Sequence, residues 1–249
     1  MNEWLSRTAM LLSVHELRRL ADAHVLVVGL GGVGAFAAEM LVRAGIGKLT
    51  IVDGDRVQES NRNRQLAALV STQGEMKAEV MAKRLLDINP DLALTVIPEY
   101  IKDDRMEDIL DFPFDYVVDA IDTLAPKIFL IFHSLKRKHR IVSSMGAGGK
   151  FDPEQIRIKD ISKSYNDPLA RMLRKRLHKL GVYKGVKVVF SAEEIDKSKV
   201  ILTPNETNKK SNVGTISYMP GLFGMYMASV VIRDLLSDVS GGQKLESSS

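Results

Sequence analysis

Residues 24–34 read HVLVVGLGGVG, and the next apolar run, KLTIVD, ends on Asp53. An apolar strand running straight into a glycine-rich turn, then a helix, then a strand closed by an acid is the pattern of a nucleotide-binding βαβ unit. Few other folds accommodate it. Gly29 permits the tight turn, Gly31 lets the main chain approach a phosphate, and Gly34 lets helix pack on strand. The helix expected from about Val33 turns its first N–H groups and positive dipole end toward an anion. Asp53 stands where a carboxylate accepts hydrogen bonds from ribose hydroxyls.

The nucleotide is read from the charges downstream. An NAD pyrophosphate carries about two negative charges, for which backbone N–H groups largely suffice. ATP carries roughly twice that and must release a charged leaving group, which calls for cationic side chains. They follow the ribose acid: Asp53-Gly54-Asp55 is succeeded by Asn61-Arg62-Asn63-Arg64-Gln65 and then by Gly74-Glu75-Met76-Lys77. After the strand at Tyr116 comes Asp119-Ala120-Ile121-Asp122, two carboxylates at a strand's C-terminal edge, where ligands of open α/β sheets bind. One of them can hold Mg²⁺, which takes few protein oxygens beside phosphate and water. An NAD- or FAD-dependent oxidoreductase accounts for the glycines and Asp53 but gives no reason for Arg64 and Lys77.

GLGGVG, IVDGD, SNRNRQ, GEMK and DAIDT, in this order, resemble the adenylation domain of ubiquitin-activating enzymes. They are equally similar to its bacterial relatives that adenylate small sulfur-carrier proteins, over roughly residues 7–149. Ser6-Arg7-Thr8, VVDAIDT, SSMGAGGKFDP and VKVVFSAEE resemble one branch of that family. Its members are ATP-dependent dehydratases that cyclise threonylcarbamoyladenosine next to the tRNA anticodon.

The resemblance implies a role for each matching residue. Gly29, Gly31, Gly32 and Gly34 line adenosine and phosphate, and Asp53 binds ribose. Asn61 and Arg64 grip the triphosphate, Lys77 is the phosphate lysine, and Asp122 is the catalytic aspartate associated with Mg²⁺. Arg7 matches an arginine that the partner subunit of a homodimer contributes. Arg62 matches nothing and reads as surface charge. Asp119 reads as a strand-end acceptor, while Asp55 serves ribose, metal or an Asx turn, between which the residues do not choose.

Cysteine is absent from the 249 residues, which excludes disulfides, thiolate zinc sites and cysteine nucleophiles. An activated carboxyl group therefore passes directly from AMP to its acceptor. No apolar run reaches the ~20 residues expected of a membrane span, so no membrane partner is expected. The opening MNEWLSRTAM is unlike a signal or transit peptide, and the expected compartment is the cytoplasm.

Strands alternate with helices: helix 15–21, strand 25–29, helix 33–43, strand 49–52, helix 77–88, strand 93–97, helix 105–110, strand 116–119, helix 126–138 and strand 140–143. This predicts an α/β fold with a doubly wound, mostly parallel, Rossmann-like sheet. A mixed C-terminal extension follows: short antiparallel strands from Lys150, a basic helix 168–180, strand 185–190, a polar loop 191–212 and an apolar helix 219–236. The chain reads as one adenylation domain over 1–236, with a nucleotide-binding core at 22–149, a substrate-side part at 150–236 and a disordered tail at 237–249.

In PLARMLRKRLHKL the apolar residues share one helical face, and Arg171 to Lys179 supply a basic one. With a net charge of +4 and a second cluster at 136–140, this helix is the candidate tRNA contact. The alternative substrate, a sulfur-carrier protein, uses the same core residues.

Overall fold

The computed structural model describes residues 3–194, 200–202 and 211–246. Two short helices, α1 (Ser6–Ala9) and α2 (Val14–Asp22), precede β1 (His24–Val28), α3 (Gly34–Arg43) and β2 (Lys48–Val52). After a long crossing come α4 (Lys77–Ile88), β3 (Ala93–Ile97), α5 (Asp103–Leu110), β4 (Tyr116–Asp119), α6 (Leu124–Lys136) and β5 (Ile141–Ser144). The remainder is β6 (Ile156–Asp160), α7 (Pro168–Lys179), β7 (Lys187–Ser191), β8 (Val200–Leu202), β9 (Ser211–Val213) and α8 (Tyr218–Glu246).

Seven strands form one sheet in the order β3-β2-β1-β4-β5-β7-β6. Every pairing is parallel except the last, where β6 lies antiparallel on β7. A buried parallel sheet needs apolar residues on both faces, and β1 shows this directly. Val25 and Val27 join the core under α3 and α8, whereas Leu26 and Val28 join the core under α6 and α7. Strand order reverses between β1 and β4, so the C-terminal ends of these two strands open the crevice in which such folds bind ligands.

Segment 191–212, expected as a polar loop, contributes β8 and β9, paired antiparallel from Val200↔Val213 to Leu202↔Ser211. Positions 195–199 and 203–210 lie outside the described residues. The segment beyond Leu236, expected as a disordered tail, carries on as helix to Glu246. Gly241 and Gly242 each cost about 1 kcal/mol relative to alanine, but the good helix formers that follow keep the backbone ladder running. Residues 247–249 lie outside the described residues.

Length and hydropathy alone would let Tyr218–Ser237 cross a membrane, contrary to the expectation that no run is long enough. More than half of that stretch is buried inside the fold. Met219, Phe223, Met227, Val231 and Leu235, spaced four apart, form one stripe against the core. Packing on α3 accounts for the apolar character of α8.

That packing is close. A Cβ on Gly224 would lie 2.3 Å from the Val33 carbonyl oxygen and 2.9 Å from the Ala37 nitrogen, both backbone atoms. Gly224→Ala should therefore lower the urea unfolding midpoint by the equivalent of about 1–3 kcal/mol. Gly214→Ala, where an added Cβ meets nothing within 4 Å, should stay within about 0.5 kcal/mol of the parent.

Candidate active site

The glycine loop leaves the end of β1, and backbone bonds tie the strand end to its neighbours. Gly29 adopts φ +90° and donates to the Val52 carbonyl at 2.8 Å, while Ala120 donates to the Val28 carbonyl at 2.9 Å. A Cβ on Gly34 would fall 1.7 Å from the Gly29 carbonyl oxygen. At Gly31 it would meet only the Gln65 amide at 3.7 Å, so the main chain is open there for a ligand. Gly32 is a different case. Its missing side chain makes room for Pro220 of α8, 2.9 Å from a would-be Cβ. No side chain caps the N-terminus of α3, and such a helix end can accept an anion.

Asp53 bridges this loop to the next. Its Oδ2 accepts from the Leu30 N–H at 2.6 Å and its Oδ1 from the Asp55 N–H at 2.7 Å. Burial pushes the Asp53 carboxyl above its ordinary range, opposed by nearby Lys77 and by those two N–H groups. Asp55 then takes the Lys77 ammonium at 2.7 Å. Lys77 reaches it because the GEMK segment crosses the DGD segment: Val57 donates to the Glu75 carbonyl, Gly74 to the Val57 carbonyl, and Lys77 to the Asp55 carbonyl, each at 2.9 Å. Gly74 permits the turn with φ +87°.

Asn61 is buried, and its Oδ1 accepts from the Gln58 N–H at 3.1 Å, closing the turn that presents Arg64. Arg64 lies beside Gly32, with Nη1 donating to the Ser60 carbonyl and to Asn63 Oδ1. Arg62 pairs with Glu59 on the surface, as expected of a residue outside the site. Asp122 sits exposed in the loop after β4, within electrostatic reach of Tyr100, whose hydroxyl bonds Asp55.

Arg7 is not brought to this cluster. It lies exposed on α1, two residues from Leu5, whose side chain covers Gly45 beyond the far end of α3. Ten residues of α3 put roughly 15 Å between that end and the glycine loop.

The segment SSMGAGGKFDP, which runs into the part expected on the substrate side, is tied to α7. The Gly146 N–H donates to Asp167 Oδ2 at 3.1 Å, and Asp167 caps α7 through the Ala170 N–H at 2.7 Å. Lys150 is buried and donates to the carbonyls of Asn166, Ser191 and Glu193. Burial lowers its pKa against the pull of Asp167, Glu193 and Glu194.

Residues outside the expected set also converge here. Gln65 lies against Gly31 with its Oε1 buried and unpartnered among the described residues. Lys127, fully buried on α6, donates to Asp119 Oδ2 at 2.7 Å, and Ser143 donates to the same oxygen at 2.6 Å. Asp119 Oδ1 accepts from the Ile121 N–H at 3.1 Å and so shapes the turn that carries Asp122. One signal for Lys127 was available: a lone charge in the apolar run LAPKIFLIF, following an acid at a strand end.

A model of the ThiF family matches residues 5–247. The chain belongs to the ThiF family. A tRNA threonylcarbamoyladenosine dehydratase of Bacillus subtilis is 38% identical over 245 residues, covering 94% of this chain and 95% of that one. The enzyme of the same name from Escherichia coli is 44% identical over 195 residues, 76% of this chain and 73% of its own. A crystal structure of the Escherichia coli tRNA N6-threonylcarbamoyladenosine dehydratase in complex with ATP superposes with a TM-score of 0.87 at 37% identity, covering 96% of both chains. A sulfur carrier protein adenylyltransferase of Thermus thermophilus is 40% identical, but over 113 residues, 45% of this chain and 41% of its own.

The Asp119–Lys127 pair makes a stability prediction. Lys127→Met removes the cation from a buried carboxylate, which costs about 3–5 kcal/mol. Adding Asp119→Asn removes the stranded charge and should recover a substantial part of that loss, read as a rise in the urea midpoint of the double variant over the single.

Proposed function

We propose that this chain is an ATP-dependent dehydratase, of the ligase class, acting on threonylcarbamoyladenosine in tRNA. The observation that carries the reading is the extent of the likeness. The Bacillus subtilis dehydratase matches along more than nine-tenths of both chains, whereas the carrier-protein adenylyltransferase matches along less than half.

The chemistry follows from the charges assembled at the strand edge. The substrate's threonyl carboxylate attacks the α-phosphorus of ATP, pyrophosphate leaves, and an acyl adenylate forms. The carbamoyl-linked part of the same side chain then attacks the acyl carbon and expels AMP. The net result is a ring and the loss of one water. Activation is needed because a carboxylate oxygen is a poor leaving group and AMP a good one. No cysteine is required, which suits a chain that has none.

Gly29, Gly31, Gly32 and Gly34 form the loop under the nucleotide, Asp53 takes the ribose, and the start of α3 faces the phosphates. Arg64, on the turn that Asn61 closes, and Lys77 stabilise charge developing at phosphorus. Lys77 has three donors and spends one on Asp55, leaving the others for phosphate. Among the described residues no three metal-ligating side chains cluster, so an all-protein cage is not built. An exposed carboxylate such as Asp122 fits Mg²⁺ that keeps its waters and arrives with the triphosphate. When bound, the ion neutralises phosphate charge.

Arg7 serves the neighbouring site of a homodimer, since it lies far from the glycine loop of its own chain. A tRNA substrate implies the cytoplasm. The polyanion lies along α7, whose N-terminus meets the SSMGAGGKFDP segment through Asp167 and whose exposed face carries Arg171, Lys175, Arg176 and Lys179. Arg174 is not part of that face, because its Nη1 is bound to the Ser164 carbonyl at 2.8 Å and to the Ile161 carbonyl. Activation of a sulfur-carrier protein is the second reading, favoured by the shared 113 residues.

Purified protein with ATP, Mg²⁺ and tRNA bearing threonylcarbamoyladenosine should release AMP and lighten the nucleoside by one water. AMP release that requires a carrier protein instead would support the second reading. Asp122→Ala and Arg64→Ala should each reduce turnover by roughly two orders of magnitude or more, with unchanged circular dichroism.

The tRNA face predicts salt behaviour. Replacing Arg171, Lys175 and Lys179 together with Gln should weaken tRNA binding and flatten the slope of log K against log salt by about 0.7–0.9 for each phosphate no longer neutralised. Filter binding from low to moderate salt measures this, and an unchanged slope would return α7 to an ordinary solvated face.

A further inference from the structure

The loop after β3 brings an aromatic ring to the nucleotide crevice. Tyr100 is 73% exposed, yet it is held at both ends. Its hydroxyl donates to Asp55 Oδ1. Its backbone lies on Gly54, where a Cβ would come within 2.5 Å of the Tyr100 nitrogen and 2.7 Å of the ring. Asp55 is itself bonded through its N–H to Asp53, the carboxylate expected to take ribose. Tyr100 therefore stands two hydrogen bonds from Asp53, within electrostatic reach of both Asp53 and Asp122.

With the hydroxyl committed to Asp55, the ring faces are what Tyr100 offers a ligand. The hydrogen bond also disfavours ionisation, and the phenol is pushed up to about 12, chiefly by Asp55 and then by burial. The ring is thus neutral across the working range of pH. A flat apolar surface held in water beside a sugar-binding acid has one common complement, a nucleic base.

We propose that the face of Tyr100 is the stacking platform for an adenine ring at this site, a role that rests on the ATP-dependent reading above. Adenine reaches the site from two sources, the base of ATP and the modified adenosine of the tRNA. The chemistry at the ring is the same for both.

Two variants and two binding partners separate the outcomes. ATP affinity is measured by calorimetry, and the KM for tRNA bearing threonylcarbamoyladenosine by AMP release, in wild type, Tyr100→Leu and Tyr100→Phe. Loss of one stacked base corresponds to about 1–3 kcal/mol, or roughly 5- to 150-fold. Tyr100→Leu should raise the Kd for ATP by that factor if the base is that of the cofactor, or the KM for tRNA if it is that of the RNA. Tyr100→Phe, which restores the ring without the hydroxyl, should rescue most of the loss. A Leu variant unchanged in both quantities overturns the proposal, as does a Phe variant as impaired as Leu, since the tie to Asp55 would then be what matters. A wild type that neither binds ATP nor acts on the tRNA overturns the reading of the site itself and the platform with it.

Discussion

The approach of α3 to β1 is the contact on which the rest of the molecule depends. With the Gly29 carbonyl 1.7 Å from any Cβ at position 34, no side chain at all is tolerated there. The helix is thereby drawn down onto the strand end, and its N-terminus faces the crevice. Its other side is then free to receive α8, which closes onto it through Gly224 and seats Pro220 against Gly32. Glycines within one short turn thus differ in purpose: Gly32 and Gly34 allow helix packing, while the backbone at Gly31 is left open.

The site is polar in a graded way. Asp53 is satisfied by backbone N–H groups and Asp55 by Lys77 and Tyr100, while Asp122 stays exposed at the strand edge. Backbone donors hold Asp53 in place, and the Lys77 cation is fixed beside it on Asp55. Such an arrangement needs little reorganisation at the moment of reaction.

How far the chain can be read from residues alone depends on the range of the interactions involved. α4 and β3 fall at the expected Lys77–Ile88 and Ala93–Ile97 because Asn89-Pro90 stops the helix locally. The glycine turn was legible because its geometry is local: Gly29 takes φ +90°, and position 34 has no room for a side chain. The β8–β9 pair was not, since its pairing joins segments that are separated in the chain. Arg174 read as one more basic residue, though a carbonyl ten positions away in the chain claims it. Lys127 and Tyr100 owe their places to Asp119 and Asp55, and only the folded sheet shows those meetings.

Lys150 makes a rigid wall of the SSMGAGGKFDP segment. One ammonium stitches the glycine-rich segment to carbonyls from the stretch before α7 and from the end of β7. Opening that wall strands a buried charge and three acceptors at once, so it has no low-cost open state. It behaves as masonry and not as a door. Whatever binds against it must fit the wall as it stands.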